Sequence, residues 1–268
     1  MARGEQEQKC FDRIKKHVNN SECLFGLSEN DRDFLLRMFE ETIPNPSLSE
    51  FPDFIFEEGY IEHFQITSSK MSRKGSKHKK EEQEFYRTVE KDVAELQCEW
   101  NNNPDFENVR SQTWTHNNPE HSYQNLVDSF KRNWESHIRS AQKYLGCKKN
   151  GVFLIEYSEI ALSMYENMYT GWPSGLSNGD MRYPEKHTLY RLSRDKNLLR
   201  YIYDYKDIIQ YVVFVNNQNC EIIKTENVQH LIRLIPWDFS IYPLSVTAVS
   251  TIYCVSIDNN FQKGENND

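Results

Sequence analysis

The stretch Tyr123–Leu145 constrains this chain most. Tyr123, Leu126, Val127, Phe130, Trp134, Ile138, Ala141 and Leu145 recur at intervals of three and four, which puts them on one stripe of a long amphipathic α-helix. A helix apolar on one stripe must cover another element. The next apolar segment, Val152-Phe153-Leu154-Ile155, has no polar residue to alternate with. Unbroken hydrophobicity of strand length is what a strand buried on both faces requires. Helices interleaved with such strands predict an α/β (α+β) fold with a mixed central sheet flanked by helices.

The rest of the pattern fits that class. Phe11, Ile14 and Val18 give a short helical face within 1–27, which reads as an N-terminal helical extension. Ser28 and Asp31 have the spacing of a capping box, and Phe34, Leu35, Met38 and Phe39 follow on one face, so a helix is expected near 29–42, stopped by Pro44 and Pro46. Strand formers at 54–56 and 60–66 flank Glu57-Glu58-Gly59, a hairpin in which Gly59 is expected to supply positive φ. A basic loop over 70–80 precedes a helix over 79–99. Residues 100–121, rich in Asn and His, read as a surface loop, and 168–190 as a long loop with several Gly and Pro turn signals. A helix over 196–209, strands at 211–215 and 221–224, and a last strand at 246–256 complete the pattern. With no break in composition, 28–256 is expected to form a single α/β domain, and 257–268 a flexible tail.

Composition excludes several classes. Aromatic residues make up 13% of the 268 residues, too many for a disordered chain. No apolar run approaches the length of a membrane span, and residues 1–9 hold no apolar leader core. The six cysteines form no CxxC pair and are widely spaced, so they read as reduced thiols of a cytoplasmic protein rather than a zinc framework. No Walker A, GxGxxG, GxSxG or HExxH motif is present, which argues against ATPase, dinucleotide oxidoreductase, serine hydrolase and zinc protease chemistry.

The net charge of −8 does not suit nonspecific binding of nucleic acid, but the distribution is uneven. Lys70, Arg73, Lys74, Lys77, Lys79 and Lys80 stand together with no acid among them. Clustered cations of this kind contact phosphates, and they do so in a salt-dependent way. Just before them come Pro52-Asp53 and, nine residues on, Glu62. On a hairpin, an Asp entering the first strand lies close to a Glu within the second. Two carboxylates so held can share a hard divalent cation, which activates water against a phosphodiester.

At these residues the chain resembles the PD-(D/E)XK nuclease superfamily, of restriction-endonuclease-like fold. The resemblance rests on Pro52-Asp53, on the strand Tyr60-Ile-Glu-His-Phe-Gln-Ile66 and on Glu40-Glu41 at the end of the upstream helix, and spans about residues 28–160. It implies a restriction-endonuclease-like core, dependence on Mg²⁺ or Mn²⁺ and cleavage of nucleic acid, DNA first, with defence against foreign DNA as a role. By position, Asp53 and Glu62 would be metal ligands, and Glu40 or Glu41 an accessory acid. The pattern departs where a lysine should stand two residues after Glu62, since Phe64 occupies that place. Lys70, Lys74 or Lys77 would then have to assist. The alternative is a catalytically inactive module of the same fold that binds nucleic acid or a protein. A two-fold dimer would suit cutting of two strands. Outside this segment, Glu156 at the end of a buried strand and the pair His116 and His121 are lesser candidates.

Overall fold

A computed structural model describes residues 5–18, 24–25, 27–47, 50–70, 77–101, 110–117, 121–166, 186–217, 219–235, 240–244 and 246–253. The chain forms two compact units, one of residues 1–70 and 120–244, the other of 71–119 and 245–268. The span 28–256, expected as a single domain, is thus shared between them, and the expected tail at 257–268 lies outside the described residues.

The first unit is built on a seven-stranded mixed sheet in the order β1 (Leu24–Phe25), β10 (Cys220–Lys224), β9 (Tyr211–Asn216), β6 (Asn150–Tyr157), β4 (Gly59–Gln65), β3 (Phe54–Phe56), β2 (Ile43–Pro44). Strand β3 runs antiparallel to both of its neighbours, β2 and β4, whereas β4, β6 and β9 are mutually parallel. On β4 and β6 nearly every residue is buried, as the unbroken apolar run of β6 requires.

Helix α1 (Glu5–His17) and helix α2 (Glu29–Glu41) cover one face. Cys10, Phe11 and Ile14 of α1, with Leu35, Met38 and Phe39 of α2, pack against Phe54, Ile61, Val152, Leu154 and Val213. Helix α1 is therefore part of the core rather than an extension. The capping box of α2 forms: Asp31 N donates to Ser28 Oγ at 3.2 Å, and Ser28 N to Asp31 Oδ2 at 3.1 Å. Helix α4 (Tyr123–Lys143) covers the opposite face, burying Leu126, Phe130 and Trp134 against Phe64, Phe153 and Ile155. It ends two residues before Leu145, which stands 99% exposed. Helix α5 (Lys196–Tyr203), shorter than the expected 196–209, completes that layer. Its cap Asp195 accepts from the backbone N–H of Asn197 and Leu198 and from the hydroxyls of Tyr123 and Tyr190.

The sequence pattern did not indicate strands β7 (Leu162–Glu166) and β11 (Ser240–Pro243) or helix α6 (Val228–Leu234). Strands β7 and β11 form a small antiparallel sheet with β8 (Lys186–Leu189), which lies within the segment expected to be loop.

In the second unit, helix α3 (Lys77–Asn101) begins inside the basic run, so Lys77, Lys79 and Lys80 belong to its first turn rather than to a loop. Arg73 and Lys74 lie outside the described residues. Part of the expected surface loop 100–121 is strand β5 (Arg110–Asn117), paired antiparallel over its whole length with β12 (Val246–Tyr253). Trp114 Nε1 donates to Asp92 Oδ2 of α3 at 2.8 Å, and His116 stacks on Phe85. Each strand finds its partner more than a hundred residues away, so neither carries a local hairpin signal.

The β3–β4 hairpin forms as expected, but Gly59 has a different role. The turn is Glu57-Glu58, and Gly59 is the first residue of β4, outside the positive-φ region. A Cβ at position 59 would stand 2.0 Å from the carbonyl oxygen of Asn150 on the parallel neighbour. Glycine is needed here for close approach of two backbones. Gly59→Ala should cost about 1–3 kcal/mol or more, as overpacking does, with the loss read as a lower urea midpoint at unchanged m. Trp134 offers a second test. It is fully buried and its Nε1 has no hydrogen-bond partner. Trp134→Ala should cost about 3–5 kcal/mol, whereas Trp134→Phe should cost much less, because it removes a buried unpaired N–H along with the lost volume.

Candidate functional site

The antiparallel register of β3 with β4 pairs Phe54 with Ile61, which sets Asp53 opposite Glu62. The two are coupled through the backbone: Asp53 N donates to Glu62 Oε2 at 3.0 Å, and His63 N donates to Asp53 Oδ2 at 2.8 Å. The segment entering β3 is held from β2, since Asn45 N donates to Asp53 O at 2.8 Å and Asn45 Nδ2 to Pro52 O at 2.7 Å. The peptide bond before Pro52 is cis.

Successive side chains of a strand alternate between faces, so Glu62 and His63 diverge. Glu62 faces α4, where its Oε1 lies 2.7 Å from His137 Nδ1, and the His137 ring stacks on Phe64. His63 and Gln65 face α1. There they meet Glu156, which the parallel register of β4 and β6 places beside Gln65. Glu156 Oε2 lies 3.2 Å from His63 Nε2 and accepts from Gln65 Nε2 at 2.8 Å and from Gln6 Nε2 at 3.4 Å. Arg13 Nη2 stands 3.9 Å from Glu156 Oε1. The thiol of Cys10 completes the group, since its Sγ, a ring nitrogen of His63 and a carboxylate oxygen of Glu156 all lie within 4.8 Å of one another.

Two groups are displaced from ordinary acidity. Burial, and next the charge of Glu62, push the Asp53 carboxyl up to about 6; Glu7 of α1 adds to this, and the His63 N–H acts against it. Burial, and next the charge of Glu156, push the Cys10 thiol up to about 12. A cavity of about 590 Å³ opens beside Asp53, lined on one side by Glu5, Glu7 and Lys9 of α1 and on the other by Asn45 and Glu50. With Asp53 it presents four carboxylates and one ammonium, an environment that suits a cation.

The expected site residues are thus partly gathered. Asp53 and Glu62 come together. Glu40 and Glu41 are exposed at the end of α2, and the helical acid whose charge reaches Asp53 is Glu7. Lys70 is exposed just beyond β4, Lys80 is exposed on α3, and Lys74 lies outside the described residues. Of the lesser candidates, Glu156 is buried at 9% exposure within the cluster just described. His121 sits apart from that cluster: its Nδ1 lies 2.7 Å from Ser68 Oγ, and Glu159 accepts from Ser68 N, Ser68 Oγ and the Thr67 hydroxyl. That group closes on itself and fastens the end of β4. His63, His137, Cys10 and Arg13 were not expected as a group. The available signal was the spacing of Gln6, Cys10 and Arg13 at four and three residues, which stacks them on one helix face.

The acidity of Asp53 has a consequence for stability. Its pKa in the fold lies above its unfolded value, so between about pH 4 and 6 the folded state holds the extra proton, and stability falls as pH rises through that window. Above it the buried charge is a standing cost. Asp53→Asn keeps an oxygen for the His63 N–H and removes the charge. It should raise stability at pH 7 by about 3 kcal/mol, at about 1.4 kcal/mol per pKa unit between the ordinary carboxylate value and about 6, and by little at pH 4. Urea titrations of both proteins at the two pH values check this; an equal effect at both would remove ionisation of Asp53 as the cause.

Comparison with protein-family models, with curated proteins and with solved structures finds no match for this chain, so the reading of the site rests on its own geometry.

Proposed function

We propose that the first unit is a divalent-metal-dependent phosphodiesterase, a nuclease of restriction-endonuclease-like type acting on nucleic acid. The observation that supports this most directly is the pairing of Asp53 with Glu62 across the β3–β4 hairpin, within a mixed sheet covered by helices on both faces. The residues suit a hard cation. Asp53 holds its proton to about pH 6 because it is buried and because Glu62, and to a lesser degree Glu7, place negative charge beside it, and the adjoining cavity is lined with further acids. Mg²⁺ or Mn²⁺ bound there would supply Lewis acidity and an activated water. Asp53 and Glu62 would hold the ion. His137 fixes one oxygen of Glu62, and Asn45 fixes the backbone on either side of the Pro52–Asp53 peptide bond. Because the cavity is acidic, a phosphodiester would reach it only with its charge neutralised by the cation.

A second reading is a binding module that has lost catalysis. It is favoured by the full engagement of Glu62, whose two oxygens already meet His137 and Asp53 N, and by Phe64, which is buried at 5% exposure where a lysine would assist.

Cleavage of plasmid, linear duplex and single-stranded DNA and RNA, with Mg²⁺ and with Mn²⁺, tests the proposal. Wild type should cut in the presence of metal. Asp53→Asn should not cut, although it is the more stable protein at pH 7, so loss of activity cannot be traced to unfolding. Undiminished cleavage by Asp53→Asn would overturn the assignment. Salt-sensitive retention of nucleic acid in a gel shift, without cleavage of any substrate, would select the second reading.

A further inference from the structure

We infer that Cys10, His63 and Glu156 form a binding site for a thiophilic divalent cation of the Zn²⁺ type, which fastens helix α1 to the sheet. This site is separate from the Asp53–Glu62 pair and stands whether or not that pair cuts a phosphodiester.

Three observations carry the inference. The first is geometry. Among the described residues, these three form the one set of His, Cys, Asp and Glu side chains with ligand atoms all within 4.8 Å of one another. The His63 Nε2 to Glu156 Oε2 separation of 3.2 Å matches the edge between two ligands of a tetrahedral ion bound at about 2.0–2.1 Å. The second is chemistry. A thiol, an imidazole and one carboxylate are the donors that zinc takes, whereas Mg²⁺ and Ca²⁺ take oxygen. Three protein ligands leave a fourth position for water. The ligands come from three elements, α1, β4 and β6, and are buried at 3%, 8% and 9% exposure.

The third observation is the surrounding shell. Metal-bound carboxylates and thiolates are commonly steadied by hydrogen bonds from neighbouring groups. Gln65 and Gln6 already donate to Glu156. Arg13 lies against the cluster with its Nε and Nη2 buried, its guanidinium beside both the Glu156 carboxylate and the Cys10 sulfur. A Cys10 thiolate, formed when the cation displaces the thiol proton to solvent, is a stronger acceptor for that guanidinium than the thiol is. The cation takes the place between His63 Nε2 and Glu156 Oε2 that a proton now holds, and Glu156 Oε1 stays with Arg13.

The consequence is mechanical. The His63 N–H holds the Asp53 carboxylate at 2.8 Å, so a cation on the His63 ring tightens the strand that positions Asp53, and one on Cys10 holds α1 beside the acidic cavity. Because the three ligands meet only in the folded chain, the binding energy adds to stability.

The full-length protein, stripped with chelator, should be titrated with Co²⁺ and then Zn²⁺. One Co²⁺ per chain should bind, with a thiolate-to-cobalt charge-transfer band and intense d–d bands, and one Zn²⁺ should displace it and raise the melting temperature. Cys10→Ser should abolish the charge-transfer band, while Cys147→Ser, which removes an exposed thiol, should leave it intact. Glu156→Gln keeps the volume of the side chain and carries the test if Cys10→Ser does not fold. It should weaken Zn²⁺ by more than the roughly 10–100-fold that loss of a supporting hydrogen bond costs. Asp53→Asn should bind Zn²⁺ as wild type does, which separates this site from the proposed nuclease centre. Absence of a stoichiometric thiolate-cobalt complex, its persistence in Cys10→Ser, or unchanged affinity in Glu156→Gln would each overturn the inference.

Discussion

Strand β4 has no solvent-facing side. It lies between an antiparallel partner, β3, and a parallel one, β6, with helices on both faces, and six of its seven residues are buried. Two of those six, Glu62 and His63, are ionisable and adjacent. A buried charge or polar ring without a partner costs several kcal/mol, and neighbouring residues of a strand face opposite ways. The strand therefore demands polar partners from both layers at once. His137 of α4 answers Glu62 on one side; Glu156 of β6, with Gln6, Cys10 and Arg13 of α1 around it, answers His63 on the other. The candidate site, the polar side of the packing of α1 and the contact of His137 with the sheet all serve two polar residues in a strand that cannot expose them.

Much of this was legible in the sequence wherever the signal was local. The α4 stripe, the capping box of α2, the hairpin and the buried run of β6 are patterns within a dozen or two residues, and each forms close to where the pattern places it. The register that brings Asp53 opposite Glu62 follows from a two-residue turn. Features that depend on distant segments were not legible. Strand β5 looks like loop because its polar sequence is stabilised by β12, far along the chain. Gly59 looks like a turn glycine because the carbonyl of Asn150, which excludes a side chain there, belongs to a strand brought alongside only by the fold. Helix α1 reads as an appendage because its apolar stripe is short; its packing partners are Phe54 and Ile61 on the sheet.

The same distinction separates the two centres. Asp53 and Glu62 are nine residues apart and were found as a pair by spacing. Cys10, His63 and Glu156 span most of the first 156 residues and share no spacing rule. Metal frameworks are usually recognised by two ligands close in sequence, a criterion that a site assembled from a helix and two parallel strands does not meet. The parallel pairing of β4 with β6 replaces it: aligning Gln65 with Glu156 puts the carboxylate next to the imidazole one pleat away on the same face.

The two centres share His63, and that sharing sets how they can influence each other. Its ring belongs to the Glu156 cluster, and its backbone N–H belongs to Asp53. A change at the ring reaches Asp53 through one rigid peptide unit of a strand paired with β6 over its whole length, without any loop to absorb it. Burial, and next the charge of Glu62, push the Asp53 carboxyl up; Glu7 adds to this, and the His63 contact is the main relief it has. A shift of the His63 backbone by a few tenths of an ångström would loosen that relief, while a rotation of its ring alone would not. Order on the α1 side of β4 therefore acts on Asp53 in two ways, through the position of the His63 backbone and through the placement of Glu7 of α1, while burial and Glu62 set most of its acidity.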